Sequence, residues 1–96
     1  MNVVLRPRAQ KSIASISDYI EKAGYPDTAY KFISRMEKFT EPLCAFPDKY
    51  PICRNKKFAK HGYHCAVFEK SYIFLYKVVG RQLIVFNVVH GRRISH

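Results

Sequence analysis

The sequence predicts an α+β domain of two layers, with elements in the order β-α-α-β-β-β-β. Two successive stretches of the first half carry apolar residues at helical spacing, which indicates a helical hairpin. After Pro51 the hydrophobic pattern changes to a period of two, which is typical of strands. The C-terminal third contains two β-rich runs on either side of Gly80-Arg81, which predicts a tight hairpin.

The length and the hydropathy pattern indicate one folded domain spanning residues 1–96. No run approaches the roughly 18 consecutive apolar residues of a membrane span. The N-terminus reaches charged residues too early for a signal peptide. We therefore expect a cytoplasmic protein without a membrane segment.

The first half of the chain predicts a strand and two helices. Asn2 to Leu5 is a short apolar run that Arg6-Pro7 ends. The first helix follows Pro7 and stops at Ala23-Gly24. Asp27 is the candidate cap of the second helix, which ends at Pro42 or Pro47. The apolar stripes are Ala9, Ile13, Ile16 and Ile20 in the first helix, and Ala29, Phe32, Ile33, Met36, Phe39 and Leu43 in the second.

The second half predicts four strands in an antiparallel meander. They span residues 52–60, 63–69, 72–79 and 82–89. Both faces of the last two strands are largely apolar. Either both faces are covered within the domain, or one is left for a partner.

The formal charge of +10 lies mostly in the second half of the chain. Residues 1–50 carry eight Lys/Arg and six Asp/Glu, whereas residues 51–96 carry nine Lys/Arg and only Glu69. An excess of one sign on one half favours an anionic partner, either nucleic acid or an acidic protein.

Cysteine and histidine spacing gives no specific support for a metal site, and no cofactor motif is present. Cys44, Cys53 and Cys65 are odd in number and have no CxxC spacing, so we expect reduced, partly buried thiols. The residues able to act on RNA without a metal are cations together with tyrosine and histidine. These are Arg54, Lys56, Lys57, Lys60, Arg81, Arg92 and Arg93, with Tyr63, His64, His90 and His96. The same set can bind phosphates or acidic side chains without reaction.

The ordered series of motifs resembles the toxins of the RelE/ParE superfamily from bacterial type II toxin–antitoxin systems. The motifs are Val3-Val4-Leu5, Ile16-Ser-Asp-Tyr-Ile20, Pro26-Asp-Thr-Ala29, Phe46-Pro47, Tyr72-Ile-Phe-Leu-Tyr76, Leu83-Ile-Val-Phe86 and Val89-His-Gly-Arg-Arg93. The helical hairpin and the His-Gly-Arg-Arg end are more similar to ParE, the plasmid-stabilisation branch, than to RelE.

The resemblance implies a growth-inhibiting toxin that acts on DNA gyrase and that an acidic, partly disordered antitoxin neutralises in a hetero-oligomer. Two sets of contact residues are then expected. The target would meet His90, Arg92, Arg93 and Lys60, and the antitoxin would meet Tyr72, Phe74, Tyr76 and Arg81.

Two alternatives remain open at this point. A RelE-like member would cut messenger RNA on the ribosome, with Arg54, Lys56, Lys57, His90 and Arg92 as catalytic candidates. The tail Ile94-Ser-His96 lacks tyrosine and the basic segment lacks a glutamate base, so whether the chain is an enzyme stays undecided. The third possibility is a non-toxic basic binding module.

Overall fold

The computed structural model describes the backbone of residues 1–93 and the side chains as far as Arg92. The side chain of Arg93 and the predicted candidate His96 lie outside the described residues. The elements are β1 (Asn2–Leu5), α1 (Pro7–Lys22), α2 (Pro26–Ala45), α3 (Lys56–Ala59), β2 (His64–Phe68), β3 (Tyr72–Val79) and β4 (Gln82–His90). Short 3-10 turns occupy Pro47–Lys49 and Gly91–Arg93. The α+β class is confirmed.

The sheet is mixed and has the strand order β1-β4-β3-β2. β2, β3 and β4 form an antiparallel meander of three of the four predicted strands, and β1 pairs in parallel with β4. The helical hairpin of α1 and α2 connects β1 to the rest of the sheet and packs on one sheet face. In the described part of the chain, no helix is long and apolar enough to cross a membrane.

The two long helices follow the predicted apolar stripes, but their ends differ in detail. Each begins with proline at its first turn, where the missing N–H costs nothing. Gly24, with a φ of 92°, follows α1. The prediction of Asp27 as the cap is wrong, because Tyr25 occupies that position and Asp27 lies in the first turn. α2 also continues through Pro42 to Ala45.

Side chains are buried on both faces of the sheet. The larger core lies under the helices and is centred on Tyr76, Phe74, Met36 and Leu43. The smaller core lies on the opposite, outer face and contains Cys53, Cys65, Ile73 and Leu75. Phe58 and Tyr63 pack against this second core. The chain itself therefore covers part of the outer face of the sheet, which lies between the two possibilities that the sequence left open.

The predicted strand over residues 52–60 is wrong. Only Ile52 makes an isolated bridge, to His64, and Lys56–Ala59 forms the single-turn helix α3. Asn55 caps this turn, since its side chain accepts a hydrogen bond from the Lys57 N–H at 2.9 Å. The alternating cations resembled a strand, but the asparagine starts a helix in their middle.

The expectation of reduced cysteines is wrong for two of the three. Cys53 and Cys65 form a disulfide with their Cα atoms 5.0 Å apart, while Cys44 is free. The backbone brings the pair together, because the Cys53 N–H bonds to Tyr63 O and the Cys65 N–H bonds to Pro51 O. A hairpin turning at residues 61–62, as predicted, would have placed Cys53 far from Cys65. The wrong strand therefore concealed the disulfide.

Reduction of this disulfide is expected to lower the free energy of unfolding by about 2–3 kcal/mol, because opening a short loop restores entropy to the unfolded chain. Denaturant titration with and without reductant measures the difference. Cys44→Ser is the matched control and should keep the full effect of reductant. Equal stability of the oxidised and reduced protein would contradict the structural role of this bond.

Candidate functional site

A groove of about 840 Å³ runs between α1 and the C-terminal end of β4. Its lining residues come from three elements and the turn after β4, and we call it the basic groove. They are Arg8, Lys11, Ser12, Ser15, Ile16, Tyr19, Tyr72, Asn87, Val88, Val89, His90 and Arg92. Two of the residues predicted to bind the target, His90 and Arg92, therefore lie in this groove.

One face of α1 supplies the polar wall of the basic groove. Arg8, Lys11, Ser15 and Tyr19 recur at spacings of three or four, so their side chains line up along the helix. Ala9 is offset from this stripe and lies in the buried core. One face of α1 thus packs against the sheet, and another presents cations and hydroxyl groups to the groove.

Asn87 shapes the floor of the groove at an irregularity in β4. Leu75 pairs with Asn87 but Tyr76 pairs with Val85, so β4 contains one extra residue. The Asn87 Oδ1 accepts hydrogen bonds from the Ser12 hydroxyl at 2.7 Å and the Val88 N–H at 2.8 Å. Because both partners are donors, the oxygen is fixed in this position and the amide nitrogen is the group left to donate elsewhere.

His90 closes β4 beside the positively charged turn. Its Nδ1 accepts a hydrogen bond from the Arg92 N–H at 3.2 Å, and its ring meets Tyr72 edge to face with centroids 5.3 Å apart. A neutral ring that accepts at Nδ1 carries its proton on Nε2. His90 can therefore donate a hydrogen bond from Nε2, and Gly91 holds the turn by donating its N–H to Ser71 O at 2.7 Å.

The electrostatic character of the groove is cationic. Arg8, Lys11 and Arg92 are exposed at its margin, and none of its described lining residues is acidic. Glu69, the one acid of the second half, lies in a different place and is paired with Arg35 at 2.6 and 3.1 Å. This hydrogen bond from Arg35 lowers the pKa of Glu69. The groove thus suits an anionic ligand or surface.

Of the proposed catalytic cations, Arg92 lies beside His90, but the cations between residues 54 and 60 do not converge on it. Arg54, Lys56 and Lys60 are exposed in or beside α3, and none of the three lines the basic groove. Lys57 lines a separate cavity that shares only Arg8 and Asn87 with the groove. Lys60, predicted to bind the target, is therefore apart from His90 and Arg92. The nuclease set is not assembled around one reacting position.

The residues predicted to contact the antitoxin fall into two groups. Phe74 and Tyr76 are 1% and 0% exposed, so the structure contradicts their role as contact residues. Both faces of β3 are apolar, and the sequence did not show which face the helices cover. Tyr72 is half-buried in the basic groove, and Arg81 is exposed in the β3–β4 turn. Arg81 and His90 therefore lie at opposite ends of β4.

Tyr76 has a structural role instead. Its hydroxyl donates a hydrogen bond to Pro47 O at 2.6 Å, and its ring stacks on His64 with centroids 5.1 Å apart. Burial, followed by the nearby Tyr50 and Asp48, raises the pKa of Tyr76 to about 12. The side chain therefore stays protonated and joins the sheet to the turn after α2.

Sequence reasoning missed the part of the groove that α1 contributes. Arg8, Lys11, Ser12 and Asn87 were not among the candidates, although Arg8 to Tyr19 form a polar stripe at helical spacing. That stripe could have indicated a polar binding surface on α1, beside the apolar face that packs in the core. The position of Asn87 was not, because it depends on the extra residue in β4.

Comparison with known proteins agrees with this architecture. The family model of the ParE toxin of the type II toxin–antitoxin system parDE matches residues 3–95. Among solved structures, the chain is similar to the chromosomal ParDE toxin–antitoxin system from P. aeruginosa, with 14% identity and a TM-score of 0.78. That match covers 94% of this chain and 95% of the other. Among curated protein sequences, none matches significantly.

The family match spans nearly the whole chain. The earlier resemblance to the RelE/ParE superfamily, closer to ParE, is confirmed. The chain belongs to the ParE family of toxins from type II toxin–antitoxin systems.

Proposed function

We propose that this toxin inhibits DNA gyrase and that the end of the basic groove around His90 and Arg92 forms the contact with its target. The observation that carries the proposal is the collection of cations on one groove whose described lining has no acid. Such a surface recognises an anionic face of a partner and accelerates the encounter with it. Arg93 follows directly in the chain and belongs to the proposed contact by its sequence position.

A cognate antitoxin partner is implied by membership of a toxin–antitoxin family. We propose that this partner is acidic and contacts the exposed Arg81 and the half-buried Tyr72. Tyr72 lies in the groove beside His90, so an antitoxin bound there would also cover the proposed target contact. Neutralisation by blocking this surface follows from that overlap.

The competing function is cleavage of messenger RNA. Lys57 and His90 lie in neighbouring cavities that share Arg8 and Asn87, which keeps cations and a proton donor in one region. General acid–base catalysis needs the donor within hydrogen-bond reach of the reacting group. The separation of the nuclease candidates Arg54 and Lys56 from the groove is a further reason that we favour gyrase.

Pulse labelling after induced expression in a bacterial host separates the two functions. We expect DNA synthesis to fall before protein synthesis, with double-strand breaks, because gyrase acts at the replication step. Co-expression of the antitoxin should restore both rates. An earlier fall in protein synthesis would overturn the proposal and favour cleavage of messenger RNA. Unchanged growth would favour a binding module without toxicity.

A further inference from the structure

A second cavity, of about 300 Å³, opens beside α3 on the outer face of the sheet, and we call it the aromatic cleft. Phe58, Tyr63 and Phe86 give it aromatic walls. Hydrogen-bond donors surround these rings, since Arg8, Lys57, His61 and Asn87 complete the lining. The cleft therefore combines aromatic surface with positive charge.

The rings of the cleft are ordered as a stack. Tyr63 and Phe86 lie with centroids 4.8 Å apart and planes inclined by 25°. A cation also lies over each ring, Arg8 at 5.5 Å from Phe86 and Lys77 at 5.0 Å from Tyr63. Both rings are only half-buried, so part of this aromatic surface is open to a ligand. A planar ring can extend such a stack.

The polar rim of the cleft recognises an anion and a hydrogen-bond acceptor. Arg8 and Lys57 are exposed donors, and none of the described residues that line the cleft is acidic. Ser12 and Val88 occupy the Asn87 Oδ1, so its amide nitrogen is the group that can donate to a ligand. Phosphate suits the cations, and a carbonyl or ring nitrogen of a base suits the amide.

We propose that the aromatic cleft binds a nucleotide. The base stacks on Phe86 beside Tyr63 and accepts a hydrogen bond from Asn87, and its phosphate meets Arg8 and Lys57. Arg8 is exposed and now lies over Phe86, so its side chain can turn towards the phosphate as the base takes its place. An acidic peptide would use the cations but leave the stack unused, which favours a nucleotide. The cleft is separate from His90 and Arg92, so this inference does not depend on gyrase as the target.

Base stacking can be separated from general attraction to charge by comparing oligonucleotides with and without bases. Fluorescence anisotropy would follow binding of a labelled ten-nucleotide thymidine strand and of an abasic strand of the same length. Both carry the same backbone charge, so the basic surface attracts them equally. We expect the thymidine strand to bind about tenfold more tightly, as stacking on an aromatic side chain predicts. Equal affinities for the two strands would overturn the proposal.

Two variants and a control test whether the difference in affinity between the thymidine and abasic strands arises in this cleft. Phe86→Leu keeps the charge and should remove most of the preference for the strand with bases. Lys57→Ala should weaken binding of both strands at least threefold more than Lys31→Ala, an exposed α2 cation that lines neither cavity. Circular dichroism would check that each variant is folded. If Phe86→Leu does not fold, the proposal is tested by the affinities of the wild type and of Lys57→Ala for the thymidine and abasic oligonucleotides.

Competition by unlabelled thymidine monophosphate distinguishes a free nucleotide from a nucleotide within single-stranded nucleic acid as the ligand. Displacement of the strand at micromolar to low millimolar concentration would indicate a free nucleotide as the ligand. Displacement only by unpaired strands, and not by the monophosphate or by a duplex, would indicate a nucleotide within single-stranded nucleic acid. Displacement by poly-glutamate alone, with no effect of any nucleotide, would show an acidic-peptide site and contradict the proposal.

Discussion

Replacing Tyr76 with alanine is expected to lower the free energy of unfolding by about 3–5 kcal/mol, as large-to-small substitutions of buried aromatic residues do. Tyr76 is completely buried and lies in the core between the sheet and the helices. The substitution opens a cavity in this core. It also leaves Pro47 O without the hydroxyl that now donates to it at 2.6 Å. At roughly 4–8 °C per kcal/mol, the melting temperature should fall by more than about 12 °C.

Tyr30→Ala is the matched control for this stability prediction. Tyr30 is 78% exposed on α2, so its removal should change the free energy of unfolding by no more than about 0.5 kcal/mol. Denaturant titration of both variants measures the two effects side by side. A Tyr76→Ala protein with wild-type stability but weaker antitoxin binding would show that Tyr76 is a contact residue, as the sequence first suggested.

Replacing both Arg92 and Arg93 with alanine is expected to abolish growth inhibition while the protein still folds. Arg92 is exposed in the turn after β4, and its backbone N–H, which the substitution keeps, makes the bond to His90. The loss is therefore confined to the charged side chains. Hydrogen bonds to charged groups contribute about 1.5–3 kcal/mol each, so two arginines account for a loss of target affinity of at least a hundredfold.

The double variant Lys31→Ala with Lys38→Ala removes the same net charge from α2. Both lysines are exposed and lie outside the basic groove, so this control should remain toxic. Plating efficiency after induction, with expression checked by immunoblotting, compares the two double variants. If both pairs weaken toxicity equally, net charge rather than the turn after β4 determines the activity. Full toxicity without Arg92 and Arg93 would remove them from the target contact.

The sequence predicted the elements whose hydrophobic period is long and regular. The stripes of α1 and α2 and the runs of β3 and β4 gave bounds close to those observed. It failed over residues 52–60, because a segment of alternating cations is too short to distinguish a strand from a capped turn. That error concealed the pairing of Cys53 with Cys65, which depends on the path of the chain between them.

The candidate site was predicted in part. His90 and Arg92 lie in the basic groove, where the end of an apolar strand meets a cationic turn. The roles of Phe74 and Tyr76 were wrong, because alternation along β3 shows two apolar faces but not which one the helices cover. The aromatic cleft was not predicted, since it combines Arg8 from α1, Lys57 from α3 and Phe86 from β4. Only the folded chain brings these three residues together.

The most direct test of the gyrase proposal is a supercoiling assay with purified gyrase, relaxed plasmid and this protein. We expect the wild type to inhibit supercoiling and to increase the amount of linear, cleaved DNA, and the Arg92→Ala/Arg93→Ala variant to do neither. The Lys31→Ala/Lys38→Ala control should behave as the wild type. Undiminished supercoiling at a protein concentration far above that of gyrase, together with ribosome-dependent cutting of messenger RNA, would contradict the account.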